Sequence, residues 1–541
     1  MGEKKVYLYD TTLRDGTQGE GISLSVEDKC KIALRLDQFG VDFIEGGWPG
    51  SNPKDMAFFE RVKSMKFTHA KVTAFGSTCR PGVSADEDEN LGAILNSGVQ
   101  VAAIFGKSWD LHVTEALKTT LEENLRMVRD SVTYLRECGL TVLFLAEHFF
   151  DGYKQNPIYA LRVLEAAEEA GADWIVLCDT NGGSLPHEVY EIVTAIRSSV
   201  QVPLGIHSHN DGELAVANAL MAVRAGATQV QGTINGIGER CGNANLVSVI
   251  PNLQLKLGFT CVSEEQLGQL TKVSRYVAEI ANMVTPNNQP FVGNSAFAHK
   301  GGIHVSAVLK NPETYEHLEP ERIGNRRRVL VSELSGQSNL LAKSEELQLT
   351  FDKEKPEARQ VIKQIKEREH QGYQYEGAEA SLSLMLLQAS GELKELFVLE
   401  SFKILMEKTA DSSIVSEAVV KLRVNNQTVH TAADGNGPVN ALDNALRKAL
   451  EGYFPALSKM HLTDYKVRVL DESEATAAKV RVLIESAYEG EKWSTVGVST
   501  NVIEASYEAL LDSINYLLWK NNEQAGVVWQ EAEPRIGISN H

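Results

Sequence analysis

Positive charge is scarce in this chain. Its 541 residues hold 53 Lys and Arg against 72 Asp and Glu, a formal net charge of −19. No run of lysine and arginine is interleaved with aromatics, and a surface so charged repels a polyanion, which argues against nucleic acid as a partner. Long apolar stretches are missing as well. The run around Val101–Phe105 stops far short of the roughly 20 residues a bilayer demands, so no membrane span is expected. The opening Met1-Gly-Glu-Lys-Lys5 enters a strand-like segment without the apolar core of a secretory signal, and a cytoplasmic location is the expectation. Cysteine is sparse: the six residues Cys30, Cys79, Cys138, Cys178, Cys241 and Cys261 form no C-x-x-C pair and all lie in the first half, which fits reduced thiols. Low-complexity tracts rich in Pro or Ser are absent, and 43% hydrophobic with 23% charged residues is the balance of a globular protein.

What is present, up to about residue 235, is an alternation of short β-branched, apolar runs with longer segments of helical period. Eight runs can be counted: Val6–Tyr9, Phe43–Gly46, Val72–Phe75, Val101–Phe105, Val142–Ala146, Trp174–Cys178, Leu204–His207 and Gln229–Thr233. Helices are predicted between them, for example over Val26–Phe39 and Ala160–Ala170, the second closed by Gly171 at the position of a C-cap glycine. Strand, helix, strand repeated eight times is the pattern of a (β/α)8 TIM barrel. Active sites in that fold are built at the carboxyl ends of the strands. Arg14 and Asp15 follow the first run, Glu147 the fifth, Asp179 and Thr180 the sixth, His207 and His209 the seventh, and Asn243 the eighth. An enzyme is therefore expected.

Past residue 275 the pattern breaks at Pro286, Pro290, Gly293 and Gly301-Gly302, and short helical pieces come next with a basic run, Arg326–Arg328. The reading is a catalytic barrel over residues 1–275, a helical linker over 276–370 that includes a charged helix from Lys353 to His370, and a C-terminal α+β domain over 371–541. This last domain carries an internal repeat. Ala418–Arg423 leads through Asp434-Gly-Asn-Gly437 to a helix with Leu442, Ala445, Leu446 and Ala449 on one face; Lys479–Ser486 leads through Trp493–Thr500 to one bearing Ala509, Leu510, Ile514 and Leu517. Two such copies packed together suit an effector-binding or dimerising module.

The pentapeptide Ile206-His-Ser-His-Asn210 sets two imidazoles on one face of a strand, where both can approach one ion. Asp15, at the mouth of the first strand, is the candidate for an anionic oxygen ligand. Two histidines and one carboxylate leave open positions, an arrangement suited to Mg2+, Mn2+ or Zn2+. Asn243 is either a fourth, carbonyl ligand or a turn residue after Gly242. Open positions invite a 2-keto acid, whose carboxylate and keto oxygens can chelate the ion. Arg14 could steady a developing oxyanion; Thr180 could bind the substrate carboxylate or cap the next helix.

Asp10–Gln18, Glu45-Gly-Gly-Trp-Pro-Gly50, Ala146-Glu-His148, Cys178–Gly183, His207-Ser-His209, Gly236–Asn243 and His299–His304 together resemble the 2-isopropylmalate, homocitrate and citramalate synthases, across almost the whole chain. Within that family Glu147–Lys154, Asn311–His317 and Val331–Gln337 are most similar to the long citramalate synthases. The resemblance implies a Claisen condensation of acetyl-CoA with a 2-keto acid, pyruvate for citramalate or 2-ketoisovalerate for 2-isopropylmalate. It implies metal binding by Asp15, His207, His209 and Asn243, and oxygen stabilisation by Arg14. It implies proton abstraction by His304 assisted by Glu147, with a contribution from Tyr315. It further implies a homodimer in which His304 reaches the partner's pocket, and a C-terminal regulatory domain that binds an end-product amino acid: isoleucine for citramalate, leucine for isopropylmalate.

Overall fold

A computed structural model describes residues 4–332, 335, 337–347, 356–408, 414–470 and 477–521 of the chain. Glu333, Leu334 and Gly336 of the segment Val331–Gln337, and Lys353–Lys355 of the charged helix, lie outside the described residues.

The eight apolar runs form eight parallel strands: β1 (Tyr7–Asp10), β2 (Phe43–Gly47), β3 (Lys71–Ser77), β4 (Val101–Lys107), β5 (Thr141–Glu147), β6 (Trp174–Asp179), β7 (Leu204–Ser208) and β8 (Gln229–Gly232). They pair in sequence order and close into a barrel, the seam being β1 on β8 from Tyr7↔Gln229 to Asp10↔Gly232. Successive side chains alternate between the two faces of a strand, and the core divides accordingly. Tyr9, Phe43, Phe75, Val101, Ala103, Leu143, Leu145, Val176 and Cys178 form one buried cluster. Their neighbours Leu8, Ile44, Ala74, Ala102, Ile104, Val142, Phe144, Ile175 and Leu177 join a larger cluster with the surrounding helices.

Those helices begin and end where the sequence signals it. Val26–Phe39 starts in a capping box, Ser25 Oγ accepting from Asp28 N at 3.1 Å and the Asp28 carboxylate from Ser25 N at 3.0 Å. Such a cap stabilises by about 1 kcal/mol. The helix stops at Gly40 with φ 92°, a left-handed conformation that only glycine adopts without strain. The helix predicted over Ala160–Ala170 runs Pro157–Glu169, longer at its start because Asn156 caps it and proline is tolerated at a first helical position.

The described residues divide into two compact units. One is the barrel, running to Phe297 and resuming over Glu316–Arg327; the other takes Ala298–Tyr315 and the chain from Arg328 onward. In the second, the short parallel strands β9 (Ala298–His299) and β10 (Arg328–Val329) accompany helices at Gly302–Lys310, Gln337–Glu346, Pro356–Gln371 and Glu379–Ser390.

The predicted repeat of strands, loop and helix is present, with three strands and one helix in each copy. The first copy is β11 (Phe397–Lys408), β12 (Ile414–Val424), β13 (Gln427–Gly435) and the helix Pro438–Leu450; the second is β14 (His461–Val469), β15 (Val480–Tyr488), β16 (Glu491–Ser499) and the helix Val502–Lys520. Ala418–Arg423 and Lys479–Ser486 fall on the central strands, whose alternate residues are buried. The leading strands β11 and β14 are edges with mostly exposed side chains, so hydrophobic periodicity does not reveal them. Both helices and both central strands contribute to one shared core. Among the described residues, no helix is long and apolar enough to cross a membrane.

Candidate active site

The carboxyl ends of β1, β7 and β8 converge on one group of buried side chains. His207 lies on β7 and His209 just past it, both 5% exposed, and Asp15, at the loop after β1, is 2% exposed. The two Nε2 atoms are 3.4 Å apart, and Asp15 Oδ2 is 3.5 Å from His207 Nε2 and 3.9 Å from His209 Nε2. The circle through those three atoms has a radius of about 2.1 Å, the bond length from nitrogen or oxygen to a divalent ion of zinc's size.

The surroundings favour such an ion. Gln231, inside the barrel on β8, stands with Oε1 3.2 Å from His207 Nδ1 and itself donates to Gln229 Oε1 at 3.1 Å. Gln231 is thus set to accept from Nδ1–H, which leaves the Nε2 lone pair facing Asp15. Burial, with His207 adding to it, pushes His209 down to about 4, so it is a neutral imidazole at ordinary pH. Burial works to raise the Asp15 carboxyl, yet Arg14, His207 and His209 outweigh it and hold it well below the usual carboxylate range. A carboxylate held as the anion beside two imidazoles, His209 among them neutral, is a donor set for a divalent cation.

Asn243 is placed beside this group. Its Nδ2 donates to Asp15 Oδ1 at 3.0 Å, while its buried Oδ1 has no hydrogen-bond partner, a group that costs about 1–3 kcal/mol unless something accepts the lone pair. Gly238 makes room for it: a Cβ there would fall 2.1 Å from Asn243 Nδ2, and the residue sits at φ 156°. Asn243 thus stands in the cluster with an unclaimed oxygen, as a ligand would, and also in the turn after Gly242, whose φ is 88°.

Arg14 is clamped from both sides. Its Nε donates to Glu45 Oε2 at 2.6 Å and Nη1 to Asp15 Oδ2 at 3.0 Å, and the guanidinium lies 3.9 Å from the centre of the Phe75 ring. Burial disfavours its charge, but Glu45 and Asp15 prevail and raise its pKa. Glu45, fully buried, also accepts from Tyr9 Oη at 2.6 Å and from Thr11 Oγ1. Three donors around one carboxylate fix its direction and, through it, that of Arg14.

Glu147 ends β5 opposite Lys107 on β4, and the two form an ion pair. Thr180 does not cap the next helix, which begins only at Pro186. Instead Thr180 Oγ1 accepts from His148 N at 2.9 Å and its carbonyl accepts from Arg240 Nη2 at 2.6 Å, Arg240 being paired with Asp211. His304 and Tyr315 belong to the second unit, where their rings stack with centroids 4.2 Å apart. Arg14, Asp15, His207, His209 and Asn243 are therefore brought together, and His304 and Tyr315 form a pair of their own. Gln231, Gln229 and Lys107 are functional candidates that sequence reasoning missed, and Glu45 entered it only within a family motif, with no role assigned.

An eight-stranded barrel with a carboxylate and two imidazoles at its strand ends defines the class: a barrel enzyme able to hold a divalent metal. Residues 5–277 match the HMGL-like family, 291–372 the homocitrate synthase post-HMGL domain-like family, and 376–518 the LeuA allosteric (dimerisation) domain. The chain is 57% identical to the (R)-citramalate synthase of Aquifex aeolicus, covering 96% of this chain and 99% of that protein. It is 55% identical to that of Geobacter sulfurreducens, over 96% and 99%. To the 2-isopropylmalate synthase of Methanocaldococcus jannaschii it is 32% identical, over 96% of each. The chain belongs to the HMGL-like and LeuA family of condensing synthases, among its citramalate synthases.

Proposed function

We propose that this enzyme condenses acetyl-CoA with pyruvate and hydrolyses the resulting thioester, giving (R)-citramalate and CoA. Identity of 57% over nearly the full length of a citramalate synthase carries the choice of keto acid. The convergence of Asp15, His207 and His209 supports the chemistry. These three residues, with Asn243 Oδ1 as a fourth donor, would hold Mg2+, Mn2+ or Zn2+, which when bound supplies Lewis acidity toward a chelated keto acid. Arg14, fixed by Glu45 and Phe75, directs its guanidinium at the oxygen where negative charge develops. Thr180 keeps its hydroxyl proton free to donate to the substrate carboxylate, because the His148 contact uses only an oxygen lone pair. His304, backed by Tyr315, takes a proton from the acetyl methyl group, and Glu147 assists the transfer. The methyl carbon then bonds to C2 of pyruvate, the keto oxygen becomes a hydroxyl, and water releases CoA as the free thiol with a carboxylate.

Thiol release from acetyl-CoA tests the reading. Pyruvate is expected to exceed 2-ketoisovalerate and 2-ketoglutarate by at least about tenfold in kcat/KM, the discrimination that a few methylenes in a closed pocket can give. EDTA should stop the reaction and added Mg2+, Mn2+ or Zn2+ restore it. A faster rate with 2-ketoisovalerate would move the product to 2-isopropylmalate, and a rate indifferent to EDTA would remove the metal.

The C-terminal repeat, matched by an allosteric (dimerisation) domain, supports a homodimer under feedback control; isoleucine, the end product that citramalate feeds, is the effector proposed here, in an enzyme proposed to be cytoplasmic. Truncation near residue 375 is a poor test, because Leu340, Val361 and Ile365 share one core with Tyr375, Leu386 and Val496. In the full-length enzyme isoleucine is expected to lower the rate of thiol release and leucine to do so more weakly. No response to either would leave the domain a dimerising role alone.

A further inference from the structure

The second unit holds a cavity of about 590 Å3 lined by none of the residues assigned above to the condensation. It is lined by Lys300, Lys366, His370, Tyr373, Arg468 and Arg481, together with Gln374 and two carboxylates, Glu369 and Glu376. The acids are engaged: Glu376 pairs with Lys300, and Glu369 accepts from Tyr375 N at 3.3 Å. The arginines are not engaged in this way. Among the described residues no carboxylate lies within ion-pairing distance of Arg468 or Arg481, and the same holds for Lys366.

Arg468 and Arg481 also stand directly opposite one another on β14 and β15, a cross-strand arrangement that is destabilising for like charges. Burial, then Arg468, lowers the Arg481 pKa, and Glu369 only partly offsets them. Arg481 is nonetheless held in place, Nε donating to Gly372 O and Nη1 to Gln374 Oε1 at 2.8 Å. Tyr373 is fixed beside them, its hydroxyl donating to the Glu508 carboxylate at 2.7 Å. In a chain of net charge −19, two arginines in no ion pair with a described carboxylate, facing one cavity with a lysine and a histidine, are a local reversal of sign. Planar guanidinium forks in pairs match phosphate oxygens bidentately, and the volume lies in the range of small-molecule sites.

We propose that this cavity binds a phosphate-bearing small molecule of nucleotide size, with Arg468 and Arg481 gripping its phosphates. The shared chemistry has two sources, a free nucleotide or the phosphorylated nucleotide end of CoA, and the experiment separates them.

Binding of ATP, tripolyphosphate and CoA to the full-length protein is measured by calorimetry at low and moderate salt, without turnover, so the outcome does not depend on the condensation. At least one probe is expected to bind, more weakly as salt rises, and to raise Tm. Arg468→Gln is the decisive variant, since Arg468 braces no backbone, whereas Arg481 supports Gly372; it should weaken binding at least about tenfold, as loss of one charged contact does. Lys366→Gln should weaken it less. CoA bound in preference, with a raised KM for acetyl-CoA in Arg468→Gln, assigns the site to the substrate's nucleotide end; ATP or tripolyphosphate bound with that KM unchanged assigns it to a free phosphate ligand. The proposal is overturned if no probe binds at millimolar concentration, or if Arg468→Gln binds as wild type does.

Discussion

Asp15→Ala and His207→Ala are each expected to reduce turnover by about 10³-fold or more, the scale on which an enzyme loses its principal electrostatic stabilisation. Bound divalent metal should fall with it, while Tm and the circular dichroism spectrum stay close to wild type. Asp15 is the only anion among the three converging atoms, so its removal leaves two imidazoles, one of them held neutral down to about pH 4. Arg14 keeps its bond to Glu45 at 2.6 Å, and its charge is not orphaned in either variant. Asp15→Asn sharpens the test: the side-chain shape is retained and the charge is lost, so activity should disappear here too if charge is what matters. Metal retained at wild-type level in Asp15→Ala, or turnover within tenfold of wild type in either alanine variant, would take that residue out of the ligand set.

The barrel was legible because its two signals are local. Short continuous apolar runs recur between helices that begin at Ser25 or Asn156 and end at Gly40 or Gly171, and no long-range information is needed to read them. The placement of Asp15, His207 and His209 was legible for a related reason, since a closed parallel barrel brings all carboxyl strand ends to one rim. Glu45 was not. It sits inside an apolar run, and nothing local distinguishes a carboxylate that receives Tyr9, Thr11 and Arg14 from one facing solvent. Gln231 and Gln229 were missed because polar residues in mid-strand usually mark a surface face; here they fill the barrel interior and orient His207. Gly238 likewise reads as a turn residue, and only the position of Asn243 shows what its missing side chain leaves room for.

His304 poses a different problem, because the role proposed for it calls on a second copy of the chain, and mixing two inactive variants tests it. Asp15→Ala and His304→Ala homodimers are each expected to be nearly inactive. If the metal ligands and His304 of one site come from different subunits, a mixed dimer has one site bearing both substitutions and one bearing neither. Random exchange makes half of the dimers mixed, so about a quarter of wild-type turnover should return. If each site is built within one subunit, every site in the mixture carries one substitution and the activity stays at the level of the parents. Subunit exchange is checked independently with an affinity tag on one variant, so silence in the assay cannot be confused with failure to mix. His304 is exposed on a helix that begins at Gly302 and is backed only by the Tyr315 ring among the described aromatic side chains. An imidazole so placed remains hydrated until another surface covers it. Closure by a partner would remove that water where the methyl proton is taken, and a return of activity to a quarter, at unchanged KM for pyruvate, is the result that requires it.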